Sequence, residues 1–169
     1  MDLAYLIVTG TTTAPRAIDI IHGLLECVPR VITLLTDNAQ RVIAPRDLSV
    51  IDGNTLVESY FDEAILPRPP DGLLLVAPCS FNSLNKLAHG IADNLALSVV
   101  AEAIGRQTPV IVGPSLNAPL LAHPVAQASL KTLPQWGVTI VPPVDDGQGP
   151  RLAPTEQLLG AVRPHLRRA

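Results

Sequence analysis

The sequence predicts a doubly wound α/β domain, a parallel sheet covered by helices on both faces. Short, continuous apolar runs at Leu3–Thr9, Val31–Leu35, Leu73–Ala77, Pro109–Gly113 and Val138–Val141 have the length and composition of strands buried on both sides. Most are followed by a polar turn and then by apolar residues at helical spacing, the alternation of a parallel sheet. At 169 residues the chain can bury one such core but not two, so residues 1–169 are read as a single domain.

The first run ends in Gly10-Thr11-Thr12-Thr13-Ala14-Pro15, a turn rich in hydroxyls with a proline suited to the first helical position. Ile18, Ile21, Leu24 and Leu25 then form one face of a helix that stops near Pro29, and His22 beside them reads as a surface or subunit-interface residue. The second run closes at Thr36-Asp37-Asn38-Ala39, residue types that favour a helix cap. From Pro45 to Pro70 the pattern weakens. Asp52-Gly53-Asn54 is a turn, three prolines (Pro67, Pro69, Pro70) precede the central strand, and the stretch reads as loop with one short strand or helix.

The central strand, Leu73 to Ala77, delivers Ser80, Asn82 and Ser83 to its carboxyl end, after which Leu84, Leu87, Ala88 and Ile91 repeat at helical spacing. Leu95 to Ile104 is a further apolar helix, Pro124 to Trp136 another with Trp136 packed at its end, and Thr155 to His165 a terminal one. At least five strands are expected, with right-handed crossovers.

In open α/β sheets ligands bind beyond the carboxyl ends of the strands, where free amides at helix starts favour an anion. The Gly10–Thr13 and Ser80–Ser83 turns both fall there. A glycine followed by hydroxyls can hold a phosphate, although the same residues serve equally as an ordinary cap, and neither the Gly-x-Gly-x-x-Gly fingerprint nor the Walker lysine is present.

Charged residues make up only 16% and hydrophobic ones 47%, more apolar than a small monomer needs, so some surface is expected to be buried between subunits. The apolar runs are too short and interrupted to span a bilayer, and Met1-Asp2 lacks the basic start of a signal peptide, which predicts a soluble, cytoplasmic protein without a membrane partner. A net charge of −3, with no basic cluster beyond Arg163, Arg167 and Arg168 in a solvated tail, argues against nucleic acid. Cys27 and Cys79 have no metal-ligand spacing and read as reduced thiols, Cys79 packed against the sheet. No metal is expected.

Two blocks carry a family resemblance. Pro78 to Ser83 resembles the Pro-Ala-Ser-Ala-Asn-Thr motif of the homo-oligomeric flavin-containing cysteine decarboxylases, and Gly90-Ile91-Ala92-Asp93-Asn94-Leu95 resembles the segment that follows it there. Pro114-Ser115-Leu116-Asn117-Ala118-Pro119-Leu120-Leu121 is similar to the family's Pro-x-Met-Asn-x-x-Met-Trp block, with both Met and the Trp replaced. The resemblance spans roughly residues 3 to 154. It implies a Rossmann-like (flavodoxin-like) fold and flavin mononucleotide (FMN) as cofactor, contacted by Gly10, Thr11, Thr12, Thr36, Ser80, Asn82 and Ser83. It also implies a trimer or dodecamer with flavin at the subunit interface.

The activity it implies is oxidative decarboxylation of a cysteine at a peptide's C-terminus, giving an enethiol, with Asn82 on the substrate carboxylate and Asn117 and Leu116 shaping the substrate pocket. Neither amide can act as acid or base, but each can orient a carboxylate or carbonyl. The family's histidine stands in a His-Ile-x-Leu segment that here reads Ala64-Ile65-Leu66-Pro67, leaving Glu63, Asp62, a group of another subunit, or the substrate thiolate itself as the base. The flap cysteine of phosphopantothenoylcysteine decarboxylases is also missing, its region contracting to Asp145-Asp146-Gly147-Gln148-Gly149-Pro150-Arg151, which favours a peptide-modifying enzyme of ribosomal peptide natural product biosynthesis. The alternatives are a non-catalytic FMN-binding subunit, a phosphopantothenoylcysteine decarboxylase-like enzyme and another small-molecule flavoenzyme.

Overall fold

In the computed structural model, which describes residues 1–166, β1 (Leu3–Val8) shows how the sheet is covered on both faces. Leu3, Tyr5 and Ile7 enter one apolar core, and Ala4, Leu6 and Val8 enter another. That is the period-two alternation of a strand, and burial of both sets makes the run apolar throughout. Arg167 and Arg168 lie outside the described residues.

From β1 the chain passes through a 3₁₀ turn (Ala14–Arg16) into α1 (Ala17–Leu25), β2 (Arg30–Leu35), α2 (Asp37–Gln40), α3 (Pro45–Ser49) and β3 (Asn54–Leu56). A second 3₁₀ turn (Glu63–Ile65) precedes β4 (Leu73–Cys79), α4 (Phe81–Ala88), α5 (Leu95–Gly105), β5 (Val110–Pro114), α6 (Ala118–Ala122) and α7 (Pro124–Gln135). The last elements are β6 (Thr139–Ile140), a hairpin of β7 (Val144–Asp145) and β8 (Pro150–Arg151), and α8 (Thr155–Leu166). The main sheet has the order β3-β2-β1-β4-β5-β6, with every neighbouring pair parallel. This is the 3-2-1-4-5-6 order of dinucleotide-binding sheets, so the fold is Rossmann-like, and strand order reverses between β1 and β4.

One core packs α4, α5 and α7 on the sheet through residues such as Leu84, Val100 and Leu133. The other packs α1 and α8 on the opposite face through Ile20, Ile21, Leu24, Leu158 and Val162. No described helix is long and apolar enough to cross a membrane.

The structure departs from the sequence reading in several places. The Pro15 turn delays α1 to Ala17, so its buried stripe is Ala17, Ile20, Ile21 and Leu24, with Ile18 and Leu25 only partly covered. The Pro45–Pro70 stretch holds both a helix and a sixth strand. Asn54 begins β3 and is not part of the turn: its side chain accepts from Thr33 Oγ1 at 2.7 Å and donates to the Leu48 carbonyl at 2.9 Å, pinning β3 to β2 and α3. Ile91 leaves the helical face because α4 stops at Ala88. Gly90, at φ 68°, donates to the Leu87 carbonyl while the Ile91 amide reaches back to Lys86, the closing pattern of a left-handed glycine cap. Trp136 is 43% exposed at the end of α7, so it contributes less packing than its position suggests.

Candidate functional site

The carboxyl ends of β1, β2, β4 and β5 open into a cavity of about 740 Å³, closed on one side by the β7–β8 hairpin. That volume falls among small-molecule sites, roughly 300 to 1,000 Å³. It lies over the reversal of strand order, where the loops after β1 and β4 diverge and leave space between them.

The first wall is the Gly10–Thr13 turn. A Cβ on Gly10 would stand 2.4 Å from Asn38 Cβ, so only glycine lets this turn lie against the start of α2. Thr11 and Thr13 share a hydrogen bond of 2.9 Å, and Thr13 and Ser115 another of 2.7 Å, so a chain of hydroxyls runs from this turn to the loop after β5. Thr12 is exposed at the cavity. Beneath them Thr9 is fully buried. Its Oγ1 donates to the Pro78 carbonyl at 2.9 Å and accepts from the Ser80 amide at 2.7 Å, which fixes the exit of β4 against that of β1.

The second wall is the start of α4. Ser80 caps the helix: its Oγ accepts from the Ser83 amide at 3.2 Å and donates to Ser83 Oγ at 3.1 Å. Both hydroxyls therefore face the cavity while engaged with each other. Asn82, between them on the first turn, is exposed to the cavity, and no hydrogen bond ties its side chain among the described residues. Thr36 likewise caps α2 by accepting from the Ala39 amide at 3.3 Å, so both readings made of it, cap and cavity wall, apply.

The third wall comes from β5. Leu116 is buried beneath the cavity floor, and Asn117 caps α6 by accepting from the Leu120 amide at 3.1 Å. With its carbonyl oxygen so engaged, Asn117 keeps its NH₂ as the group free to act on a ligand.

The charged groups at the cavity were not singled out in the sequence. Lys86 Nζ lies 2.5 Å from Asp93 Oδ2, and this hydrogen bond holds the Asp93 carboxyl below its usual range. Arg151 on the hairpin pairs with Asp146, and Arg41 and Asp37 complete the rim. Lysine and arginine positions carry no periodic signal, so only the α4 face shared by Asn82 and Lys86 could have pointed to one of them.

Glu63 stands apart from the other candidate residues. It does not line the cavity of its own chain but is exposed on the 3₁₀ turn laid over α5, a segment tethered by a 2.8 Å hydrogen bond between Tyr60 and Ser98. Asp62 is spent on that turn, accepting from the Ala64 amide at 2.9 Å, and Ala64 packs against the core. Among the described residues no histidine lines the cavity either: His123 accepts from the Val125 amide and packs edge-on to Phe81, and His89 caps α4 against the Asn85 carbonyl. Cys79 is fully buried and burial pushes its thiol up to about 12, an unreactive group.

The cavity thus offers hydroxyls and helix-start amides for an anion, the orientable amide of Asn82 on the first turn of α4 beside them, and that of Asn117 on the β5 side. A family model described as Flavoprotein matches residues 4–166. The chain is 32% identical over 146 residues to a probable phosphopantothenoylcysteine decarboxylase of Streptococcus mutans, covering 82% of this chain and 80% of that protein. It is 23% identical over 163 residues to the coenzyme A biosynthesis bifunctional protein CoaBC of Thermococcus kodakarensis, of which it spans only 40%. Among solved structures it resembles the peptidyl-cysteine decarboxylase EpiD, with a TM-score of 0.84, 23% identity and coverage of 96% and 99% of the two chains. It also resembles the FMN-dependent cysteine decarboxylase SpaF, with a TM-score of 0.77, 25% identity and coverage of 96% and 98%.

Proposed function

The chain belongs to the flavoprotein family, the one its two motif blocks resemble, and we propose that it binds FMN and decarboxylates a cysteine at the C-terminus of a peptide. The observation that carries this reading is the unengaged Asn82 amide, set beside a glycine and hydroxyl turn in one cavity.

The residues present fit a phosphorylated flavin. The Gly10 backbone approach, the Thr11 and Thr12 side chains and the first turn of α4 with Ser80 and Ser83 supply donors to a phosphate, and Thr36 stands beside them. When bound, the flavin supplies a two-electron acceptor for the carbon that bears the cysteine sulfur. The substrate then loses carbon dioxide and two hydrogens in all, leaving an enethiol.

The chain's part is binding and orientation. Asn82 donates its NH₂ to the departing carboxylate, Asn117 donates from the opposite wall, and Leu116 provides an apolar floor under the side chain. With Glu63 outside the cavity and no imidazole among its described lining residues, the proton on sulfur leaves from the substrate itself, whose free thiol ionises at about pH 8.5, or goes to a group of a neighbouring subunit. A trimer or dodecamer with flavin between protomers is part of the same proposal. It is supported by large apolar side chains left exposed, among them Phe61 at 84% and Val50 at 76%. Two free cysteines suit a reducing cytoplasm.

A second reading, decarboxylation of phosphopantothenoylcysteine, is favoured by the 32% identity to the Streptococcus mutans protein. The loop from Asp145 to Arg151 lacks the cysteine that would reduce the enethiol. The two are separated by incubating FMN-loaded protein with a cysteine-ended peptide and, in parallel, with phosphopantothenoylcysteine. Mass loss of carbon dioxide and two hydrogens from the peptide supports the first reading. Turnover of the pantothenoyl substrate alone replaces it with the second, and turnover of neither leaves a non-catalytic flavin binder.

A further inference from the structure

We propose that Lys86, tempered by Asp93, reads the substrate's terminal carboxylate together with Asn82. The inference rests on the peptide-decarboxylase reading above and adds a residue that selects the free acid. Asn82 and Lys86 stand four residues apart on α4, which puts them on one face of the helix, and both line the cavity. Of the other cavity cations among the described residues, Arg151 lies on the β7–β8 hairpin and Arg41 follows α2, so neither shares that face.

The Lys86–Asp93 pair could be only a staple between α4 and α5, but that turn is closed without it. Gly90 and Ile91 cap the end of α4 through Leu87 and Lys86 carbonyls, and Asn94 caps α5 by accepting from the Leu97 amide at 3.0 Å. The two side chains are 26% and 51% exposed, and a pair so open to solvent contributes little to stability. What the pair does provide is an ammonium at the cavity wall with a carboxylate partner beside it.

Such a group suits decarboxylation. A bare ammonium would bind the ground-state carboxylate more tightly than the transition state, from which that charge is draining as the carbon–carbon bond breaks, and would slow the step. An ammonium shared with Asp93 donates a hydrogen bond to recruit the acid without holding it.

The test measures calorimetric binding of a short peptide ending in serine, which cannot be oxidised, prepared as free acid and as C-terminal amide. Wild type, Lys86→Met, Lys86→Arg and Asp93→Asn are compared at equal FMN occupancy. Wild type should prefer the acid. Lys86→Met should weaken the acid by about tenfold and leave the amide unchanged, as expected for loss of one charged hydrogen bond. Lys86→Arg should restore most of that preference, and Asp93→Asn should tighten the acid while lowering kcat on the cysteine peptide. Equal loss of acid and amide in Lys86→Met, or no loss, overturns the assignment while leaving the peptide reading intact. Weakened FMN with unchanged riboflavin would move Lys86 to the cofactor phosphate and overturn it as well. Wild type that binds neither peptide defeats the peptide reading and this one with it.

Discussion

The two ends of the same parallel sheet have opposite fates. At the amino end, Tyr5 donates to the Pro70 carbonyl at 2.7 Å, Arg106 donates to the Pro69 carbonyl at 3.2 Å and pairs with Asp71, and only about 10 Å³ of space remains. A Cβ on Gly72 would stand 2.8 Å from the Leu3 carbonyl, so the backbone itself seals this end. Burial pushes the Tyr5 hydroxyl well above its ordinary range, fixing it as a donor. At the carboxyl end the strands lead into helix starts capped by Thr36, Ser80 and Asn117, and a cavity of about 740 Å³ opens. The difference teaches that proline carbonyls taken up by side-chain donors close a sheet edge, whereas helix starts leave donors facing outward for a ligand.

The contrast is broken most severely at Asn82. Asn82→Asp puts a negative charge beside the substrate carboxylate in place of a donor, and turnover of a cysteine-ended peptide should fall on the order of a hundredfold or more while the protein stays yellow. Carbon dioxide loss at equal flavin occupancy measures it, and equal rates would remove Asn82 from the mechanism. Next comes Gly10→Val, whose side chain must displace Asn38: stability should drop by about 1 to 3 kcal/mol in urea unfolding, with flavin retention lost alongside.

At the sealed end, Tyr5→Phe removes one hydrogen bond and should cost about 1 kcal/mol with flavin affinity and turnover untouched. A change in flavin affinity there would show that the two ends are coupled. The smallest effect concerns the thiols. Burial raises the Cys79 pKa, so less thiolate forms, and at about pH 8 iodoacetamide should label Cys27 and spare Cys79 in the folded protein.

Much of this contrast was legible in the sequence at the open end and little at the closed one. The buried strands announced themselves as apolar runs because both faces of β1 meet a core, and Thr36 is a residue type whose cap can be read directly, whereas the caps at Ser80 and Asn117 emerge only in the structure. Asn54 reads locally as part of a turn because the Thr33 hydroxyl that ties it into the sheet lies 21 residues away. Thr9 and Ser115 were passed over for the same reason, since their roles rest on partners 69 and 102 residues away. Glu63 was chosen by position relative to a motif, and nothing local records that its turn lies over α5 and away from the cavity.

Denaturing the purified protein and identifying the released flavin tests the central claim most directly. The account predicts FMN in stoichiometric amount, retained by Tyr5→Phe and lost by Gly10→Val. A colourless wild-type protein that cannot be reconstituted with FMN would contradict it.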